Sequence, residues 1–239
     1  MSLAPNSETS ALPVGSATPK PLRSDGQEAR TRLLDAALVL FADKGFAKTS
    51  TREIALAAQV NVASISYYFG DKAGLYRAVF TDPRSNPSVE PASIDHPDQS
   101  LADSLRAMLD TFTEPMKNGV AMQNCMKLHI REMLEPTGLW QAEIDDNIKP
   151  AHMALVQMLC RHLGVTQADD DVHRLAFSIV GLGMILHVGS DVIQAIRPAL
   201  IGSPAAIDAY AEHMLVAALS MVEGEARHRQ ALSSTAALP

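Results

Sequence analysis

The sequence is poor in the residues that hold disulfide-rich or β-sheet proteins together. Its 239 residues include only two cysteines, Cys125 and Cys160, which are too few and too far apart for a disulfide framework and fit a reducing cytosol. Aromatic residues make up 5% of the chain and hydrophobic residues 47%, mostly Ala, Leu, Val and Met, a mixture that favours helix over sheet. No segment alternates polar and apolar residues as a strand does. The sequence therefore predicts an all-α fold.

Membrane-directing segments are also scarce. The chain opens with polar and proline-rich residues instead of a basic and then apolar signal peptide. The most apolar run, 175–188, is shorter than the roughly 20 residues that a membrane-spanning helix needs. We therefore expect a cytoplasmic protein with no membrane partner.

The most informative stretch is 49–72, which reads TSTREIALAAQVNVASISYYFGDK. Ser50 and Glu53 are spaced as in a capping box, which predicts the start of a helix. Asn61 is a good cap for a second short helix, which should end at the Gly70-Asp71 turn. Two short helices joined by a tight turn are typical of a helix-turn-helix, whose second helix enters the major groove of DNA.

This stretch and its surroundings resemble the DNA-binding domain of the TetR family of bacterial repressors. The resemblance covers about the first third of the chain: the helix 27–44, then GFAKTSTREIA, then VASISYYFGDKAGLY, in order and at the family's spacing. Two positions depart from the common pattern. Gln59 stands where a turn glycine is frequent, and Ser66 stands where a tyrosine is frequent. The resemblance implies a three-helix DNA-binding domain followed by a helical ligand-binding and dimerisation domain.

The residues expected to contact DNA follow from this reading. The start of the first motif helix offers free amides to a phosphate, and Arg52 can bridge O6 and N7 of guanine. An aromatic core stripe is the alternative for the Tyr-Tyr-Phe run. We accept it for Phe69 and reject it for at least one tyrosine, because adjacent residues cannot share a helix face. The expected DNA-contacting set is Ser50, Thr51, Arg52, Val62, Ala63, Ser64, Ser66, Tyr67, Tyr68 and Lys72.

The distribution of charge along the chain supports binding of DNA by the N-terminal part. The formal net charge is −7, but residues 1–80 carry nine Lys/Arg against seven Asp/Glu, which is +2, and residues 81–239 carry eleven against twenty, which is −9. The N-terminal part can therefore approach phosphate, while the remainder repels it.

Composition divides the rest of the chain. We expect a disordered arm at 1–25, the DNA-binding domain at 26–82, a proline-rich linker at 83–99, a helical body at 100–229 and a disordered tail at 230–239. In the arm, Lys20 and Arg23 could touch the DNA backbone, although an unstructured leader is the plainer interpretation. Helices are predicted at 101–117, 120–134, 139–164, 171–196 and 204–229, with Pro150 interrupting or kinking the third.

In the body, the run Arg131-Glu132-Met133-Leu134-Glu135-Pro136-Thr137 and the last two helices resemble, more weakly, a TetR subgroup named for regulators of cefoperazone and chloramphenicol sensitivity. From it we take only an effector-binding and dimerisation role. An apolar pocket for a small organic effector is expected among the helices that carry Met126, His129, Met133, Trp140, Met158 and His187. For the methionines core packing is the alternative, and Trp140 could equally cover a pocket or pack on a helix end. The histidines lack metal-site spacing, and neither a metal nor a cofactor is expected.

The helix 171–196 contains Gly181, Gly183 and Gly189, which allow close helix approach, and it should pair with the last helix and their symmetry mates in a C2 homodimer. The sequence thus predicts a ligand-responsive dimeric repressor on a palindromic DNA operator. A helical protein-interaction module is the alternative. Tyr68 and Lys72 match the Tyr-x-x-x-Lys pair of dehydrogenases, but Gly70 interrupts the helix and no dinucleotide loop precedes it, so no enzyme is predicted.

Overall fold

The computed structural model describes residues 24–84 and 90–236, so the predicted contacts of Lys20 and Arg23 with DNA lie outside the described residues. The first four helices are α1 (Ser24–Lys48), α2 (Thr51–Ala57), α3 (Ala63–Phe69) and α4 (Lys72–Phe80). Helix α1 is interrupted at Gly45, whose φ of 78° suits glycine and ends the regular helix just after the predicted range 27–44.

These helices share one apolar core. Leu33, Ala37 and Phe41 recur at helical spacing on α1 and are all fully buried. They pack with Ile54 of α2, Ile65 of α3 and the inner face of α4. A later helix, α7 (Val120–Leu134), contributes Cys125 and Leu128 to the same core. Because α7 belongs to the body, the DNA-binding domain and the body are joined by packing as well as by the connecting chain.

The predicted linker is partly built into the body. Residues 85–89 lie outside the description, but α5 (Pro91–Ile94) follows, and Ile94 is buried in the core of the body. An ion pair between Asp95 and Arg161 holds the same segment. The proline-rich segment 83–99 was predicted as a linker, but its residue Ile94 packs into the core of the body.

The body consists of helices only. They are α6 (Leu101–Lys117), α7, α8 (Trp140–Glu143), α9 (Lys149–Leu163), α10 (Asp170–Val188), α11 (Ser190–Ile196) and α12 (Pro204–Ala236). The predicted bounds of α6 and α7 are confirmed. A π-helical turn, Ile144–Ile148, stands just before Pro150, which confirms the predicted interruption. No strand occurs in the described residues, and the all-α class is confirmed.

Two predicted boundaries differ from the structure. The helix predicted at 171–196 is divided at Gly189, where α10 ends and α11 begins. Helix α12 continues to Ala236, so residues 230–236 are helical where a disordered tail was expected. Arg229 pairs with both Asp169 and Glu225, which fixes this end of α12 to the start of α10.

The two longest apolar helices belong to the core of the body. By length and composition alone, Asp170–Val188 and Pro204–Ser234 could each cross a membrane. In the structure both pack against α6 and contribute Ile179, Leu186 and Met214 to the main core. Part of their apolar surface is thus buried within the fold.

Candidate nucleic-acid interface and domain junction

The first motif helix starts with half of the predicted capping box. The Ser50 Oγ accepts a hydrogen bond from the Glu53 amide at 3.1 Å. The Glu53 carboxylate pairs with Lys44 of α1, and this hydrogen bond lowers its pKa. Thr49 is buried and its hydroxyl donates to the carbonyl of Gly45 at 2.8 Å. The entrance to α2 is therefore fastened to the end of α1.

The turn between α2 and α3 depends on an unusual backbone conformation. Gln59 has a φ of 55° and is the one residue other than glycine with positive φ in the described part of the chain. The Val60 amide donates to the Ala55 carbonyl at 3.0 Å, which closes the turn as in a Schellman motif. The family's glycine position thus keeps its left-handed geometry with a glutamine in it.

The second motif helix exposes one face and buries the other. Asn61 Oδ1 accepts from the Ala63 amide at 2.8 Å, which confirms its predicted role at this helix start. Ile65 is buried, whereas Tyr67 is 74% exposed. Phe69 packs at the edge of the core with the Arg30 guanidinium 5.3 Å from its ring centroid. This agrees with a core position for Phe69 and a solvent-facing Tyr67.

Nine of the ten predicted DNA-contacting residues lie on α2, on α3 or directly before these helices, and Lys72 is the first residue of α4. The exposed ones are Ser50, Arg52, Val62, Ala63, Ser66 and Tyr67, and the half-buried ones are Thr51, Ser64, Tyr68 and Lys72. Lys72 Nζ lies 4.4 Å from the Phe46 ring centroid, and partial burial lowers the pKa of its amine. Lys72 would have to leave Phe46 to contact a phosphate.

The six predicted effector residues lie in different surroundings. Met158 is fully buried in the core of the body and is a packing residue, which corrects its assignment to a pocket wall. His187 Nε2 donates to the Phe112 carbonyl at 2.8 Å, and burial lowers the pKa of His187. His129 stacks on Phe80 at 4.2 Å. Met126, Met133 and Trp140 are half-buried, the first two on α7 and the third on α8.

A cleft of about 410 Å³ instead opens at the junction of the two domains. Its walls come from the end of α1, from α4, from α7 and from the segment that follows α7. The lining residues are Phe46, Ala47, Tyr76, Arg131, Glu135, Pro136 and Thr137. None of the six predicted effector residues is among them. Nothing in the sequence placed the run Glu135-Pro136-Thr137 beside α1.

A buried carboxylate lies at the base of this junction. Glu132 of α7 has no exposed surface. Its Oε2 accepts from the Tyr76 hydroxyl at 2.8 Å, and its Oε1 accepts from the amides of Thr137 and Leu139 at 2.8 and 3.1 Å. The Thr137 hydroxyl lies 3.0 Å from Oε2. One side chain thus ties the DNA-binding domain, α7 and the following loop together.

The described residues contain no group of three or more His, Cys, Asp or Glu side chains placed to hold a metal ion. His152 and His173 form the closest histidine pair among them, with 3.0 Å between Nε2 and Nδ1.

Comparison with known proteins places both parts of the chain. Residues 33–79 match the family model of the bacterial regulatory proteins of the tetR family. Residues 101–221, half of the chain, match the C-terminal domain of the HTH-type transcriptional dual regulator CecR. The chain belongs to the TetR family of transcriptional regulators. Its body is of the CecR type.

Similar proteins match this chain over different lengths. The dual regulator CecR of Shigella flexneri is 28% identical over 183 residues, which is 70% of this chain and 79% of CecR. The probable regulator YttP of Bacillus subtilis is 54% identical over 46 residues, 19% of this chain and 22% of YttP. A TetR-like regulator from Rhodococcus sp. RHA1 shares the fold with a TM-score of 0.57 at 22% identity, over 86% of this chain and all of that one. The TetR-family membership confirms a transcriptional regulator with a DNA-binding helix-turn-helix.

Proposed function

We propose that this TetR-family regulator is a dimeric, ligand-responsive repressor that binds a palindromic operator in the cytoplasm and is released by a small organic effector. The observation that carries the proposal is the hydrogen bond between Tyr76 and the buried Glu132. It connects the domain that presents Arg52 and Tyr67 to solvent with the helical body. A change in the body can therefore be transmitted to the DNA-binding helices.

The dimer contact is assigned to an exposed apolar stripe on α10 and α11. Phe177, Ile185, Val188 and Val192 recur at helical spacing, and Phe177 is 62% exposed. Gly181 lies within this stripe, and a Cβ added there would meet no atom within 4 Å. Pairing this stripe with its symmetry mate would bury these side chains and set the separation of the two recognition helices.

Gly183, in contrast, faces the interior of one subunit. It is buried, and an added Cβ would lie 2.3 Å from a ring carbon of Phe112 on α6. The expectation that Gly183 lies in the dimer contact is therefore wrong. The helical period explains the error, because residues 181 and 183 are about 200° apart around the helix axis.

Related regulators support a small organic effector. SmeT, which shares this fold with a TM-score of 0.56 at 19% identity over 79% of this chain and 90% of its own, was solved as a triclosan complex. CecR is described as a dual regulator. Activation at some promoters would follow from where the operator lies, without a change in how this protein binds DNA.

The deciding experiment is selection of bound duplexes from a random pool, followed by sequencing. A repressor of this kind should yield inverted half-sites whose centres are one helical turn, about 34–36 Å, or a multiple of it apart. Titration with random duplex at low salt tests the alternative, a helix-turn-helix that contacts only protein. An absence of binding there would refute DNA recognition. Gly181→Leu should weaken the dimer in sedimentation and reduce operator affinity with it, because each subunit contacts only one half-site.

A further inference from the structure

The cleft at the domain junction has the size and lining of a small-molecule site. Its volume of about 410 Å³ lies within the range of roughly 300–1,000 Å³ that is usual for ligand pockets. The rings of Phe46 and Tyr76 line it, and they lie 5.1 Å apart between centroids at 69°. Pro136 adds an apolar surface from the other domain. A flat apolar group would find aromatic partners here.

One lining residue presents a fixed positive charge. Arg131 Nε donates to the Ala42 carbonyl at 3.3 Å, and Nη2 donates to the Asp43 carbonyl at 3.1 Å, both at the end of α1. These two bonds hold the plane of the guanidinium. Nη1 is 3.7 Å from Glu135 Oε2, which is too long for a good hydrogen bond. Arg131 therefore keeps donor capacity at the position where its side chain lines the cleft.

The competing negative charge is weakly held. The Glu135 side chain is 70% exposed, and exposed ion pairs of this kind contribute at most about 1 kcal/mol. Lys72 places a second positive charge at Phe46. The Glu132 carboxylate at the base of the junction is buried and already accepts hydrogen bonds from Tyr76 and Thr137, so a ligand meets two cations and one displaceable carboxylate. This balance favours an anionic ligand over a cationic one.

We propose that this cleft binds a small organic acid with an aromatic or flat apolar body. The carboxylate takes the place of Glu135 at Nη1 of Arg131, and the ring contacts Phe46 and Tyr76. The inference deepens the proposed function, because it makes this junction the effector site instead of the interior of the body.

Such a ligand would touch both domains at once. Phe46 and Ala47 lie a few residues before α2, whose entrance is fixed by Thr49, and Tyr76 is hydrogen-bonded to Glu132 of α7. A ring inserted between them would change the position of α2 relative to the body. Bound ligand should then lower the affinity for the operator, and bound operator should lower the affinity for the ligand, by the same factor.

The test is calorimetric titration of the DNA-free, full-length protein with benzoate, 2-naphthoate and 4-phenylbenzoate, each compared with its neutral amide. The carboxylates should bind more tightly than the amides. Arg131→Gln should reduce carboxylate affinity about tenfold or more, the usual effect of losing a charged hydrogen bond. Glu135→Gln, an exposed change that leaves folding intact, should raise carboxylate affinity by up to about fivefold.

Lys127→Gln is the matched control. Lys127 lies on the same helix as Arg131, pairs with Asp43 at 2.5 Å across the same junction and does not line the cleft. Its substitution should leave carboxylate affinity unchanged. Equal losses in Lys127→Gln and Arg131→Gln would show a general charge effect and overturn the site.

Two further outcomes decide the proposal. If none of the carboxylates binds, or if each binds no better than its amide, the site is refuted, whether or not the protein recognises DNA. If they bind in the expected order but bound protein keeps its full affinity for a selected operator, the effector role is refuted. Failure of the proposed function would instead appear in the selection from the random pool, as the absence of any enriched operator sequence.

Discussion

The hydrogen bond from Tyr76 to Glu132 gives the sharpest prediction about the domain junction. The variant Tyr76→Phe keeps the ring, its edge-to-face contact with Phe41 at 4.9 Å and its packing in the core, and removes only the hydroxyl. Burial, followed by the hydrogen bond to Glu132, raises the pKa of Tyr76, so the hydroxyl stays protonated and donates at any ordinary pH. The substitution therefore isolates one bond.

The expected cost follows from the surroundings of Glu132. Its carboxylate has no exposed surface, so water cannot replace the missing donor. Without Tyr76, Oε2 retains only the Thr137 hydroxyl at 3.0 Å within the described structure. A hydrogen bond to a charged group contributes about 1.5–3 kcal/mol, and we expect a loss of unfolding free energy in that range.

Urea unfolding followed by circular dichroism measures this loss. Tyr210→Phe is the control, because the half-buried Tyr210 makes no hydrogen bond through its hydroxyl in the described structure and should change stability by less than about 0.5 kcal/mol. Tyr76→Phe should also weaken the response of operator binding to an effector. Equal stabilities of the two variants would refute the reasoning, since Glu132 would then have no need of Tyr76.

Four other changes test separate features, each against wild type. Gln59→Gly should raise the unfolding free energy by about 0.5–1 kcal/mol, because it removes left-handed strain of about 1–2 kcal/mol at some cost in chain entropy, and a loss of stability would contradict it. Gly183→Ala should cost about 1–3 kcal/mol in thermal unfolding, because its Cβ would press on Phe112, and an unchanged melting temperature would place residue 183 on the surface. His187→Gln should flatten the pH dependence of stability. Burial holds the pKa of His187 below its ordinary 6.5, so the wild type loses stability as pH falls below 6.5. Unfolding free energies from urea titrations at several pH values would contradict this if they changed equally with pH in the two proteins. Arg52→Ala should cost about 1–3 kcal/mol in operator affinity and relax specificity at one position of each half-site, and a uniform loss over all sequences would reassign Arg52 to phosphate.

Local sequence signals were enough to predict the helices of the DNA-binding domain. Caps, turn residues and the period of apolar side chains act within a few residues, and they predicted α2, α3 and the buried face of α1. The left-handed conformation at Gln59 was not predicted, because a glutamine stands where the family commonly has a glycine and only the structure shows that the turn geometry is kept. The solvent-facing set around Arg52 and Tyr67 follows from the same local geometry, and its contacts with DNA remain predictions.

In the helical body, several helix bounds were predicted from the sequence, but the contacts between helices were decided by tertiary structure alone. Apolar side chains such as Met158 read the same in sequence whether they fill a core or line a pocket, and only packing distinguished the two. Gly181 and Gly183 differ in role because a neighbouring helix approaches one side of α10. Glu132 pairs with Tyr76 across 56 residues, and no local pattern encodes a contact over that distance. The junction cleft exists because α1, α4 and the segment after α7 meet there, so it could be found only in the folded chain.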